Sequence, residues 1–193
     1  MIDLHVHLDG SIRQQTLEEL FEGDLPDVKF YPNMGIQKAL ASFSTTLSVM
    51  QELDRITRIT EELCDDLTKF GTSRAEIRFA PQLHCNGEIQ SVVDAAVAGL
   101  KPRFNLILCG LYGEPPEVLD DLVKAAKMRS RVVGIDLAGS PLEEHKWGLM
   151  DYSCPFTEAL RLGLGRTVHA GEGRPAEEIK MAIEYLHAQR IGH

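Results

Sequence analysis

The residues of this chain that could do chemistry collect in three short strings. Arg166-Thr167-Val168-His169-Ala170-Gly171-Glu172-Gly173 reads as a β-branched strand running into a glycine turn, with His169 and Glu172 three positions apart where the strand ends. His5-Val6-His7 stands near the first residue and His193 is the last. Metal-assisted hydrolysis needs an imidazole to hold a cation and a carboxylate close by to move a proton. Positions i and i+2 of a strand share a face, so His5 and His7 point the same way. With His169 they offer three imidazole nitrogens, a normal set for one catalytic Zn2+ with an open position for water. Zinc lowers the pKa of such a water to about 7. Glu172, carried past the strand end by the turn, is the candidate proton shuttle. His193, read alone, is only a strand-end residue. His84, His145 and His187 have no partner motif and read as core or surface groups.

The elements that must position these residues alternate regularly. Ile2 to Leu8 reads as a strand ended by Asp9-Gly10-Ser11. Thr16-Leu17-Glu18-Glu19 has capping-box spacing and predicts the start of a short helix closed by Gly23 and Pro26. Ile36, Leu40, Phe43 and Leu47 recur at helical spacing, as do Ile56, Ile59, Leu63, Leu67 and Phe70 ahead of Gly71. Strands are predicted over 75–81, 105–111, 132–137 and 166–169, and helices over 89–100, 118–128, from Pro155 to about Gly163, and from Pro175 to about Ala188. Arg190 begins a sixth strand.

Repeated β-then-α order predicts parallel strands covered by helices. An open doubly wound sheet would usually carry a Gly-rich phosphate turn after its first strand, but His7-Leu8-Asp9-Gly10-Ser11 stands there instead. The fold class expected is therefore α/β, a TIM-type (β/α) barrel, whose chemistry sits at the C-terminal strand ends. A whole barrel takes about 250 residues. The expectation is thus an incomplete one, about six of eight strands, forming a single metal-dependent hydrolase domain over 1–193 truncated before the last strands.

Composition excludes other classes. A formal charge of -9 argues against a nucleic-acid or anionic-membrane surface, and no apolar run approaches the roughly 20 residues of a membrane span. The first residues lack the pattern of a secretory signal. Cys64, Cys85, Cys109 and Cys154 form no Cys-x-x-Cys pair and read as reduced, mostly packed thiols, so a cytoplasmic setting is the default. The His-x-Glu and Pro-Cys-x-x-Cys strings of cytidine-type zinc deaminases are missing, which excludes that fold.

MIDLHVHLDGSIR (1–13), AEIRFAPQLH (75–84), GIDLAG (134–139), TVHAGE (167–172) and RIGH (190–193) resemble the adenosine deaminase family of the amidohydrolase superfamily, in family order and across nearly the whole chain. The resemblance implies a zinc-dependent barrel that replaces the purine 6-amino group of adenosine or deoxyadenosine with oxygen and releases ammonia. It implies His5, His7 and His169 as zinc ligands and Glu172 as the acid that protonates purine N1 during attack at C6. His193 becomes the histidine that orients the water, Asp9 the contact to a sugar hydroxyl, and Gly139 the backbone N–H donor to ring N3. His7 also borders the substrate. The stripe Ile36, Leu40 and Phe43 resembles the family's apolar lid. The related adenine deaminases usually carry Glu where Asp9 stands, so Asp9 points to a nucleoside over a free base.

Three features depart from the family pattern. The segment between Gly23 and Ile36 is short, and Leu111-Tyr112-Gly113 stands where the family often has basic residues. The aspartate that completes the family's zinc site and the one that binds purine N7 have no counterpart before His193. The alternatives kept open are deamination of a modified adenine nucleoside or of free adenine, and a catalytically inactive fragment that binds nucleosides. The expected partner is a small-molecule purine nucleoside, with neither nucleic acid nor membrane, and self-association is expected through unpaired barrel edges.

Overall fold

The computed structural model describes residues 1–29, 31, 34, 36–139, 145–172 and 174–192. His193 and Gly173 lie outside the described residues, as do the side chains of Ile36 and Leu40. Six strands are described, and strand order follows the chain. The chain divides into two compact units, Met1–Asn105 and Leu106–His193.

In the first unit, β1 (Ile2–His7) runs parallel to β2 (Arg74–Phe79). The register goes from Asp3↔Ala75 to Val6↔Ile77, so β1 has one more residue than β2 across that interval. That is a β-bulge. Among the described residues four α-helices follow or separate the strands: α1 (Gln14–Leu20), α2 (Ile36–Val49), α3 (Leu53–Lys69) and α4 (Ile89–Gly99). The spacing of Ile56, Ile59, Leu63 and Leu67 gives α3 its buried face. Gly99 lets α4 cross α3 closely, since a Cβ there would stand 2.4 Å from the Thr57 carbonyl oxygen.

Two local expectations are corrected here. Thr16 does not cap α1: the helix begins at Gln14, and the buried Thr16 hydroxyl donates instead to Glu62 of α3 at 2.5 Å. Phe70 does not extend the apolar face of α3. Gly71 turns left-handed (φ 81°), with Gly71 N–H on the Thr68 carbonyl and Thr72 N–H on that of Leu67. This glycine stop ends the helix at Lys69 and leaves Phe70 75% exposed.

β3 (Phe104–Leu111) straddles the division between units. In the second unit it pairs in parallel with β4 (Val132–Ala138), β4 with β5 (Gly165–His169), and β5 with β6 (Arg190–Gly192). Helices α5 (Pro116–Lys127), α6 (Ser153–Arg161) and α7 (Glu177–Tyr185) alternate with them. Pro116 occupies the first turn of α5, where its missing N–H costs nothing. Leu106, Leu108, Ile135, Leu137 and Val168 are fully buried on the strands, and Leu119 and Leu122 of α5 and Phe156 of α6 are buried as well. The β/α alternation and the parallel strands agree with the expected TIM-type α/β class. Among the described residues no helix is long and apolar enough to cross a membrane. Cys64 and Cys109 are buried thiols, and none of the four cysteines is in a disulfide.

Candidate metal and purine site

The chemistry-bearing residues sit where strands end: His5 and His7 on β1, Gly139 just past β4, His169 on β5.

At the β1 end the bulge takes two backbone groups out of the ladder, and side chains take them up. The His5 N–H donates to Asp3 Oδ1 at 3.0 Å, and the Leu4 carbonyl accepts from the fully buried Arg78 guanidinium at 2.8 Å. Beyond the bulge pairing resumes, with Leu8 N–H on the Arg78 carbonyl. The result brings His5 Nε2 and His7 Nε2 to 3.2 Å, the rings tilted by 48°. Two imidazole nitrogens each about 2.0–2.1 Å from zinc at a tetrahedral angle stand about 3.3 Å apart, so the pair fits a zinc ion. Phe43 of α2 stands 6.1 Å from His7, ring to ring. Its edge is so close to Gly10 that a Cβ there would lie 3.2 Å away.

Asp9 follows in the turn and is buried, with Oδ1 3.9 Å from His7 Nδ1 and without a hydrogen-bond partner among the described residues. Burial pushes its carboxyl up to about 7, against the lowering effect of the Asp9 and Gly10 amides. A buried acceptor left open in a turn beside the His7 imidazole suits a ligand hydroxyl.

His169 is buried at the end of β5, and its Nδ1 lies 3.1 Å from Asp136 Oδ1 on β4. A carboxylate on Nδ1 holds that proton in place and puts the imidazole lone pair on Nε2, the arrangement of metal-binding histidines. Asp136 also lies 3.8 Å from the Cys109 thiol on β3. The Tyr112 hydroxyl donates to the His169 carbonyl at 2.9 Å. Burial raises the Tyr112 phenol well above its ordinary value, so it stays a donor.

Glu172 is exposed, two residues past Ala170 in a turn that requires Gly171: φ is 84°, and a Cβ would meet Ile179 at 2.9 Å. Gly139 is likewise left-handed (φ 78°) and half-buried. His84 is a core histidine, its Nδ1 3.0 Å from the Met50 carbonyl, and burial lowers its pKa to about 4.

Sequence reasoning gave no role to Asp136, Asp3 or Arg78. Asp136 carried a signal, a lone carboxylate inside the apolar run VVGIDLA. Asp3 and Arg78 act through a bulge that alternation alone does not reveal.

The sequence matches the adenosine deaminase family over residues 1–193. It is 36% identical to an adenosine deaminase of Clostridium acetobutylicum across 100% of this chain and 64% of the relative. Its fold resembles that of the adenine deaminase of Arthrobacter aurescens, with a TM-score of 0.84 and 22% identity over 100% of this chain and 64% of that one. The N6-methyl-AMP deaminase of Arabidopsis thaliana is similar with a TM-score of 0.82 and 26% identity, over 100% and 63%. An amidohydrolase with bound Zn has a TM-score of 0.78 and 19% identity, over 100% and 58%. The chain thus spans about 64% of the length of the curated relative it matches. With the family's motif histidines at the ends of its first and fifth strands, the chain belongs to the adenosine deaminase family.

Proposed function

We propose that the protein is a zinc-dependent hydrolase that converts adenosine or deoxyadenosine to inosine or deoxyinosine plus ammonia. The observation that carries the reading is the His5–His7 pair, two Nε2 atoms 3.2 Å apart on the bulged end of β1, in a chain of this family. His5, His7 and His169 each offer one ring nitrogen as a ligand atom. Zinc bound there supplies a Lewis acid that makes water acidic enough to react near neutral pH.

The rest is done by the chain. Asp136 fixes the His169 tautomer by accepting from Nδ1–H. Asp9 accepts a hydrogen bond from a ribose hydroxyl with the oxygen left open in its turn. The Gly139 N–H donates to ring N3, where a left-handed glycine lets the backbone approach closely. Glu172 gives a proton to N1 as water oxygen adds to C6, and the proton stays on N1 in the product. One water proton leaves with the amino group as ammonia, and the other restores the Glu172 carboxyl. His193 orients the attacking water, and Phe43 covers the face beside His7.

A second reading changes the substrate to free adenine or an N6-modified adenine nucleotide. The likeness to the adenine and N6-methyl-AMP deaminases favours it, whereas Asp9 favours a nucleoside. Ammonia release from adenosine, deoxyadenosine, adenine and N6-methyl-AMP, with bound zinc quantified, separates them. Turnover of adenosine with one zinc per chain is expected. Turnover of adenine or N6-methyl-AMP alone supports the second reading, and no turnover of any of the four contradicts both.

A further inference from the structure

Tyr112, just past the third strand, has a partner far away in the chain. Tyr112 is buried, and its hydroxyl donates to the carbonyl of His169, 57 residues away in sequence, at 2.9 Å. The last paired position of β4 and β5 is Leu137↔Val168. His169 therefore stands one residue past that register, while still paired with Gly192 of β6. Asp136 grips the ring at Nδ1 and Tyr112 grips the main chain. A turn of the peptide plane at Cα is magnified at Nε2, the far atom of the ring, and ligand distances tolerate only about 0.2 Å.

The neighbouring tyrosine has a different task. Tyr152 meets Tyr112 edge-on, with centroids 6.3 Å apart. Its own hydroxyl is committed to the loop after β3, accepting from Gly113 N–H at 3.0 Å and donating to the Glu114 carbonyl at 2.8 Å. One phenol closes a loop, and the other reaches the strand end that carries the histidine.

We infer that Tyr112 is a positioning residue for the metal ligand His169, acting through its main-chain carbonyl. This rests on the zinc reading above. Tyr112→Phe keeps the packed ring and deletes only the donor, and Tyr152→Phe does the same at the loop.

Zinc affinity is measured by competition with a chromophoric chelator, and ligand geometry by the visible spectrum of the Co2+-substituted protein. Tyr112→Phe is expected to weaken zinc by about 10-fold and to shift the Co2+ bands. Tyr152→Phe is expected to lower the melting temperature with zinc affinity within about 2-fold, since its bonds close a loop. In the wild type, the hydroxyl-bearing ring carbon of Tyr112 should shift by NMR on zinc loading more than that of Tyr152. This last measurement does not depend on either variant folding. Wild-type affinity and spectrum in Tyr112→Phe, or an unmoved Tyr112 carbon on loading, overturn the inference while leaving the zinc reading intact. A wild type that takes up no zinc contradicts both.

Discussion

At the end of β1 the backbone sets two half-exposed histidines, whereas at the end of β5 neighbouring side chains set one buried histidine. His5 and His7 owe their approach to the bulge between Asp3 and Val6, whose freed amide and carbonyl are taken by Asp3 and Arg78. His169 is held at its ring by Asp136 and at its carbonyl by Tyr112. A bulge sets where the backbone presents a ligand. A buried carboxylate on Nδ1 fixes the ring and its tautomer as well. On the zinc reading proposed above, the β5 end is the anchor, its histidine held at ring and carbonyl by side chains, and the β1 end is the jaw, its histidines placed by the bulge.

The largest effect expected at the β5 end separates proton transfer from metal holding. Glu172→Gln removes the proposed proton carrier and no ligand, so kcat for adenosine should fall by about 100-fold or more with zinc content unchanged. Full activity in that variant would remove Glu172 from the mechanism.

The next effect belongs to the first unit and to His84. His84 ties the Met50 carbonyl, just past α2, to the segment after β2, and α2 carries Phe43 against His7. Burial depresses the His84 pKa from 6.5 to about 4, so between those values the unfolded chain takes up a proton that the folded one refuses. Its contribution is present above pH 6.5 and is lost as pH falls through 4, amounting to about 3 kcal/mol. Asp9, raised from an ordinary 3.8 to about 7, runs the other way: its contribution is present below pH 3.8 and is lost as pH rises through 7. Denaturant melts of the zinc-free wild type and His84→Gln across pH 4 to 7 isolate the histidine, because Asp9 is common to both. Parallel curves would contradict the assignment.

Removing the supporting carboxylates compares the two ends directly. Asp136→Ala should weaken zinc by about 10- to 100-fold, and Asp3→Ala by less, because it frees one amide at a half-exposed bulge. Chelator competition on both variants checks the order, and a larger loss in Asp3→Ala would reverse the roles of anchor and jaw. The smallest effect is expected for Gly10→Ala. Its new Cβ would press the Phe43 ring at 3.2 Å, which the ring can relieve by shifting, so stability should drop by only about 1 kcal/mol in a thermal melt.

How much of this could be read from the sequence differs between the two ends. Strict alternation put His5 and His7 on one side of β1, and the structure agrees, but the alternation says nothing of the bulge. The bulge depends on Arg78, a residue of another strand 74 positions from the carbonyl it holds. At β5 the β-branched run and Gly171 were enough to end the strand at His169. Its grips come from β4 and from just past β3, contacts of long sequence separation that local pattern does not encode. Helices with strong amphipathic stripes, such as α3 and α5, were read nearly to the residue. Thr16 was misassigned because a tertiary partner, Glu62, claimed the hydroxyl that a cap would have used.

Zinc stoichiometry, measured by elemental analysis on the purified wild type and on His5→Ala, His7→Ala and His169→Ala, tests the central claim most directly. One zinc per chain in the wild type, with marked loss in each of the three variants, is the predicted result. Undiminished zinc in any one of them would show that its imidazole is not a ligand and would contradict the shared three-histidine site.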